Sequence, residues 1–216
     1  ESERLSRLIG NVLTFARQQR GRLTLRPTTG VPDEAILIEP RSTNTGENIV
    51  FSRELLAEEG MNVFLAARRT TRIDALAEEL GPKAIAIKTD VSHPEQVRNL
   101  FGRVKERFGG LDLLFNNAGL GIFGSFADSA PEDWRTMIDV NLTGVLNCTQ
   151  AAIALMKGRA GAMVSTVSSV GGRYGYVGWS VYCATKFAVI GFHDALRKEL
   201  GPDGIRVSVI EPGATW

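Results

Sequence analysis

Ala162-Met163-Val164-Ser165-Thr166-Val167-Ser168-Ser169 is an apolar run that closes on two serines, and thirteen residues past Ser169 comes Tyr182-Cys183-Ala184-Thr185-Lys186. The run reads as a buried strand whose end delivers Ser168 and Ser169 to the place where open α/β sheets hold their ligands. Tyr182 and Lys186 are four apart in a helix-compatible stretch, so they stack on one helix face. A Lys186 ammonium within a few ångströms of the Tyr182 phenol is expected to favour the ionised form and to bring a group of pKa ~10 into use near neutral pH.

A Tyr-x-x-x-Lys pair alone is common, as an aromatic anchor beside a solvated charge. Order and context make this one informative. A second apolar run, Leu111 to Phe115, delivers Asn116-Asn117-Ala118-Gly119 in the same manner. Around these two strands the pattern alternates: apolar runs at Ala35 to Ile38, Val63 to Ala67, Ala84 to Lys88 and Arg206 to Ile210, and helical stretches at about 46–59, 73–80, 95–108, 131–157 (with room for an interruption) and 181–200. Strands alternating with helices predict a doubly wound parallel sheet, an α/β fold of the Rossmann type, with ligands at the C-terminal ends of its strands.

The chain carries 44% hydrophobic residues and a formal net charge of +1 over 216 residues. That is enough to bury one good core, and the near-neutral balance gives no basis for a nucleic-acid partner. Cys148 and Cys183 suit a reducing, cytoplasmic setting and packing roles, and no spacing resembles a metal site. No stretch has the length of a membrane span or the order of a signal peptide.

The first thirty residues differ in kind, with six Arg against Glu1 and Glu3, a local charge of +4. Leu5, Leu8, Ile9, Val12, Leu13 and Ala16 fall on one stripe and predict an amphipathic helix from about Glu3 to Gln19, with Gly21 as its stop. The organisation expected is therefore an amphipathic helix and linker over 1–34 and a Rossmann-type α/β domain over 35–216. The segment Ser6 to Leu13, with Gly21 to Leu25, weakly resembles the dimerisation helix of sensor histidine kinases. His93 and His193 lie elsewhere, so that resemblance implies no kinase activity.

Asn116-Asn117-Ala118-Gly119, Asn141, Ser169, the Tyr182/Lys186 pair and Pro212-Gly213 together resemble the short-chain dehydrogenase/reductase family, over about residues 35–216. The resemblance implies an oxidoreductase that moves hydride between a nicotinamide and a carbonyl or alcohol substrate. It assigns Tyr182 as general acid/base, Lys186 as the group that lowers the phenol's pKa and holds the nicotinamide ribose, Ser169 as a hydrogen-bond donor to the substrate oxygen, and Asn141 as the anchor of a water that feeds protons to Lys186. Separately, Asn141 reads as a polar helix residue and Ser168 and Ser169 as turn formers.

For the cofactor the resemblance places Ser42, Gly46 and Asn48 in the phosphate loop, Asp90 and Val91 beside the adenine, and Asn116, Ala118 and Gly119 beside the ribose, with Tyr182, Lys186, Pro212 and Gly213 completing the site. The family's Thr-Gly-x-x-x-Gly-x-Gly is met here by Arg41, Ser42, Gly46 and Asn48, so one of its three glycines remains and weakened dinucleotide binding is expected. After the second strand, where an NAD site has an acidic residue, this chain has Arg68-Arg69, and positive charge there favours a 2′-phosphate and hence NADP(H). Gly175 to Trp179, with Phe123 and Phe126, are expected to line an apolar substrate pocket.

The family implies a homodimer or homotetramer formed through helices such as 95–108 and 181–200. It also implies further sequence after Pro212-Gly213, so a C-terminally shortened chain is expected, with Arg206 to Ile210 left as a sheet edge. The alternative from a different class is a catalytically silent homologue that acts only through helix-mediated association.

Overall fold

A computed structural model describes residues 36–38 and 62–213. The expectations for residues 1–34, including the amphipathic helix, and for Arg41, Ser42, Gly46 and Asn48 lie outside the described residues. Six strands form one parallel sheet: β1 (Ile36–Ile38), β2 (Val63–Ala67), β3 (Ala84–Lys88), β4 (Leu113–Asn116), β5 (Met163–Val167) and β6 (Arg206–Ile210). Their spatial order is β3-β2-β1-β4-β5-β6, the doubly wound order that the alternation predicts.

The helices are α1 (Thr70–Leu80), α2 (Pro94–Phe108), α3 (Pro131–Ile138), α4 (Gly144–Met156) and α5 (Ser180–Leu200). Because side chains alternate along a strand, β2 feeds two cores. Val63, Leu65 and Ala67 join Ile73 and Leu76 of α1 with Leu113 and Met163 on one face. Phe64 and Ala66 join Val97, Leu100 and Val104 of α2, Ala152 and Met156 of α4, and Leu114, Val164 and Val207 on the other. Burial on both faces is why these strands read as continuous apolar runs instead of alternating ones.

Helix boundaries follow their local chemistry. Pro94 opens α2, where its missing N–H leaves nothing unsatisfied, and Gly109 closes it at φ 72° with its N–H on the Lys105 carbonyl, 2.9 Å away. Two expectations shift. The strand expected from Leu111 begins at Leu113, because the Leu111 N–H donates to the Leu155 carbonyl (3.0 Å) and the Asp112 carboxylate, almost fully buried, accepts a two-pronged pair from Arg159 at 2.7 and 2.9 Å. The long helix over 131–157 is broken by a π-turn, Asp139–Thr143, that separates α3 from α4.

Leu114 sits at the centre of the sheet with no exposed surface. Leu114→Ala is expected to destabilise the fold by about 3 kcal/mol through lost burial and the cavity left behind. Urea unfolding should show a lower midpoint at unchanged slope; an unchanged midpoint would contradict this packing.

Candidate active site

The C-terminal ends of β4 and β5 are side by side, with Asn116 paired in register to Thr166. The buried Asn116 amide donates to the hydroxyls of Thr149 (3.2 Å) and Thr166 (3.1 Å), tying β4 to α4 and β5. Three residues on, Gly119 passes so close to its neighbours that a Cβ there would lie 3.4 Å from Lys186 Nζ and 3.5 Å from Asn141 Oδ1.

Asn141 is fully buried within the π-turn. Its Oδ1 accepts from the Leu120 N–H (2.8 Å), and its Nδ2 donates to the Leu120 carbonyl (2.8 Å) and to Thr185 Oγ1 (3.1 Å). Thr185 in turn donates to the Tyr182 carbonyl (2.7 Å). One amide thus links the loop after β4 to the turn of α5 that carries both Tyr182 and Lys186. A π-turn is the usual device for aiming one helix residue off the regular ladder.

From the other side, β5 ends in Ser168 and Ser169. The Ser168 hydroxyl donates to the Lys186 carbonyl (3.1 Å), and Ser169 Oγ accepts from the Gly171 N–H (3.0 Å). A Cβ on Gly171 would meet Tyr182 Cε1 at 3.2 Å and Ser169 Oγ at 3.4 Å, so the phenol ring and the serine hydroxyl converge on that one bare glycine. Ser168 and Val170 donate to the carbonyls of Ile210 (2.7 Å) and Pro212 (2.9 Å), which brings Pro212-Gly213 to the same edge.

The comparisons agree with this geometry. The profile of the short chain dehydrogenase family matches residues 49–216. An uncharacterised oxidoreductase of Staphylococcus saprophyticus is 35% identical over 187 residues, 85% of this chain and 75% of that protein. The chain belongs to the short-chain dehydrogenase/reductase family. The crystal structure of a short-chain dehydrogenase from Streptomyces avermitilis matches with a TM-score of 0.78 at 31% identity, over 86% of this chain and 67% of that one. A short-chain dehydrogenase/reductase from Burkholderia phymatum, solved in complex with NAD, matches at 0.75 and 28% identity, over 84% and 66%. The protein is therefore an oxidoreductase of this family. Among the described residues no helix is long and apolar enough to cross a membrane.

Within this family member the electrostatics depart from the expectation for Tyr182. Burial raises the phenol's pKa, the Ser169 hydroxyl acts in the opposite direction, and the net position is above the ordinary value. Lys186 does not offset this. Its Nζ lies 5.7 Å from the ring centroid and donates instead to the Val167 carbonyl at 3.0 Å. With the side chain 4% exposed, burial pushes the Lys186 pKa down to about 8. Helical spacing brings the two side chains to one face, but the β5 carbonyl captures the ammonium.

Arg68, Asp90 and Val91, expected on the cofactor side, follow the ends of β2 and β3. Arg68 Nη1 is 3.4 Å from Asp90 Oδ2. Partial burial works to raise the Asp90 pKa, but hydrogen bonds from Ser92 and the charge of Arg68 outweigh it and hold the carboxyl below its usual value. Val91 is buried against Gly144, where a Cβ would come within 2.5 Å of Val91 Cγ2, and its carbonyl accepts from Asn147 Nδ2 at 2.9 Å. Ala118 is buried beside Asn116.

Of the pocket residues expected, Phe123 and Trp179 pack edge-on around the Tyr182 ring at 5.5 and 5.6 Å, and Tyr176 leans on Trp179 at 5.3 Å. Phe126 stacks on Trp134, and both line a cavity of about 170 Å³ together with Phe123, Met137, Gly178 and Val181. Val177 is fully exposed. Sequence reasoning missed Thr185, Thr149 and Thr166; Thr185 stood inside the quoted Tyr-to-Lys stretch, but its partner 44 residues away had no local signal.

Lys186 makes stability depend on pH. Its pKa falls from 10.5 unfolded to about 8 folded, so between those values the unfolded chain binds more protons and stability rises with pH; below about 8 both states are protonated and the full cost of burying the charge is present. Lys186→Met, which keeps the alkyl stem, is expected to remove that slope. Denaturant unfolding should show the wild type gaining about 2–3 kcal/mol on the variant between about pH 7.5 and 10. Parallel pH curves would contradict the assignment.

Proposed function

We propose that this chain is an NADP-dependent oxidoreductase that transfers hydride between the nicotinamide and a carbonyl or alcohol substrate, with Tyr182 as the general acid/base. The observation that carries the reading is the convergence of the Tyr182 ring and the Ser169 hydroxyl on Gly171, with the buried Lys186 amine behind them. The cofactor supplies or accepts the hydride. Tyr182 passes a proton to or from the substrate oxygen, and Ser169 donates a hydrogen bond to the same oxygen as charge develops there. The raised phenol pKa keeps Tyr182 protonated at neutral pH, the form from which a carbonyl oxygen is protonated in the reductive direction.

Lys186 retains donors beyond the one given to Val167, and these face the site near Gly119, in a position to hold the nicotinamide ribose. A Cβ on Gly119 would stand in ordinary contact with Lys186 Nζ and Asn141 Oδ1, so this backbone lies against both groups. Asn141 is a positioning residue: its side-chain amide is committed to Leu120 and Thr185, so a water feeding protons to Lys186 is proposed on the π-turn backbone around it. Arg68, exposed at the end of β2, supports the preference for a 2′-phosphate. The rings of Phe123 and Trp179 around Tyr182 support an apolar group next to the reacting carbon.

A cytoplasmic setting is supported by two buried cysteines, Cys148 and Cys183, that form no disulfide with each other. Association into a homodimer or homotetramer through α2 and α5 is supported by Phe187, exposed on α5. Light scattering is expected to report a multiple of the monomer mass, and a monomer at all concentrations would remove that part of the reading.

Tyr182→Phe is the direct test of the chemistry. Ketone-dependent NADPH oxidation is expected to fall by a factor of about 100 or more, with the NADPH dissociation constant within about twofold of wild type. Turnover equal to the wild type's would overturn the role given to Tyr182.

A further inference from the structure

Arg68 and Asp90 follow neighbouring strands whose ends are fixed to one another: β2 and β3 pair Ala67 with Lys88, and the Thr89 N–H donates to the Ala67 carbonyl at 3.0 Å. Asp90 is then locked in place by three further bonds. Its own N–H donates to Gln96 Oε1 (2.8 Å), and its Oδ1 accepts from the N–H (3.1 Å) and hydroxyl (2.7 Å) of Ser92. His93 Nδ1 stands 3.8 Å from that same oxygen. The remaining oxygen, Oδ2, faces Arg68 Nη1 at 3.4 Å.

The two partners are unequal. The Asp90 side chain is 17% exposed and anchored, whereas that of Arg68 is 40% exposed and, among the described residues, held by Asp90 alone. The carboxylate cannot swing aside; the guanidinium can. A 2′-phosphate arriving at the end of β2 therefore meets an arginine whose charge is already shared, and it must draw Arg68 off Asp90 or divide its N–H groups with it. A 2′-hydroxyl makes no such demand.

We propose that Asp90 is a specificity-determining residue of the cofactor site, one that competes with the 2′-phosphate for Arg68 and so keeps the preference for NADPH over NADH low enough for both to bind. The inference rests on the reading that Arg68 meets the adenine ribose at its 2′-position. It predicts dual cofactor use set by an intramolecular competitor, with Asp90 acting through Arg68 and not by direct repulsion.

Dissociation constants for NADPH and NADH, from fluorescence titration of the full chain, test it in four proteins: wild type, Asp90→Asn, Arg68→Gln and the double variant. Asp90→Asn keeps an acceptor for Ser92 and removes the charge. The wild type is expected to bind both dinucleotides, with NADPH ahead by about tenfold or less. Asp90→Asn should widen that preference by about tenfold, almost wholly through NADPH, while adding it to Arg68→Gln should change the ratio by less than about twofold. Near-ultraviolet circular dichroism checks that each variant is folded, and Asp90→Ser stands in with the same expectation if Asp90→Asn is not.

An unchanged or narrowed preference in folded Asp90→Asn overturns the proposal, as does an equal widening in the Arg68→Gln background. A wild type that binds neither dinucleotide, or an Arg68→Gln change that leaves the ratio where it was, overturns the underlying assignment of Arg68 and the proposal with it. That failure is recognised without reference to Asp90.

Discussion

The pairing of β4 with β5 is the constraint on which the rest depends. Leu113 to Asn116 lie in register with Met163 to Thr166, and the segments that carry Gly119, Leu120, Ser168 and Ser169 depart from the ends of these two strands. A slip of one residue would turn Leu114 and Val164, neither exposed, from the core to the opposite face and carry the Asn116 amide away from Thr166. The β4 end leads to Gly119 and Leu120; the β5 end leads to Ser168 and Ser169. Between them stands α5, held on one side by Ser168 at the Lys186 carbonyl and on the other by Asn141 through Thr185.

Placing a phenol and an amine in such a dry location has opposite consequences for the two. Burial disfavours the charged form of each, so it raises the Tyr182 pKa and lowers that of Lys186 to about 8. The two groups are thereby driven apart in proton affinity: the phenol holds its proton more tightly than usual and the amine gives its proton up more readily. The cost falls on the fold, since a cation buried on one carbonyl is a weak arrangement compared with an apolar side chain in the same space.

The cofactor end is built on a different plan. There the charged groups are partly solvated, the ion pair of Arg68 with Asp90 is exposed on one side, and its geometry is set by hydrogen bonds that hold the carboxylate and not the guanidinium. An exposed pair contributes little to stability but decides where a flexible arginine points when nothing else is bound to it.

The sequence by itself determined the sheet. Parallel strands buried on both faces require continuous apolar runs, and those runs, with glycine and proline between them, place β2, β3 and β6 at the residues expected. It also brought Ser169, Tyr182 and Lys186 near one another, because a strand end and a four-residue helical spacing are local properties. What only the tertiary structure decided is how those side chains are used. Asn141 is tied to Leu120 across 21 residues and to Thr185 across 44, and Lys186 to Val167 across 19. The spacing of Tyr182 and Lys186 pointed to a depressed phenol pKa; the fold gave the ammonium to a strand-end carbonyl and left burial in charge, because proton affinity depends on the groups that surround a side chain in space and not on those beside it in the chain.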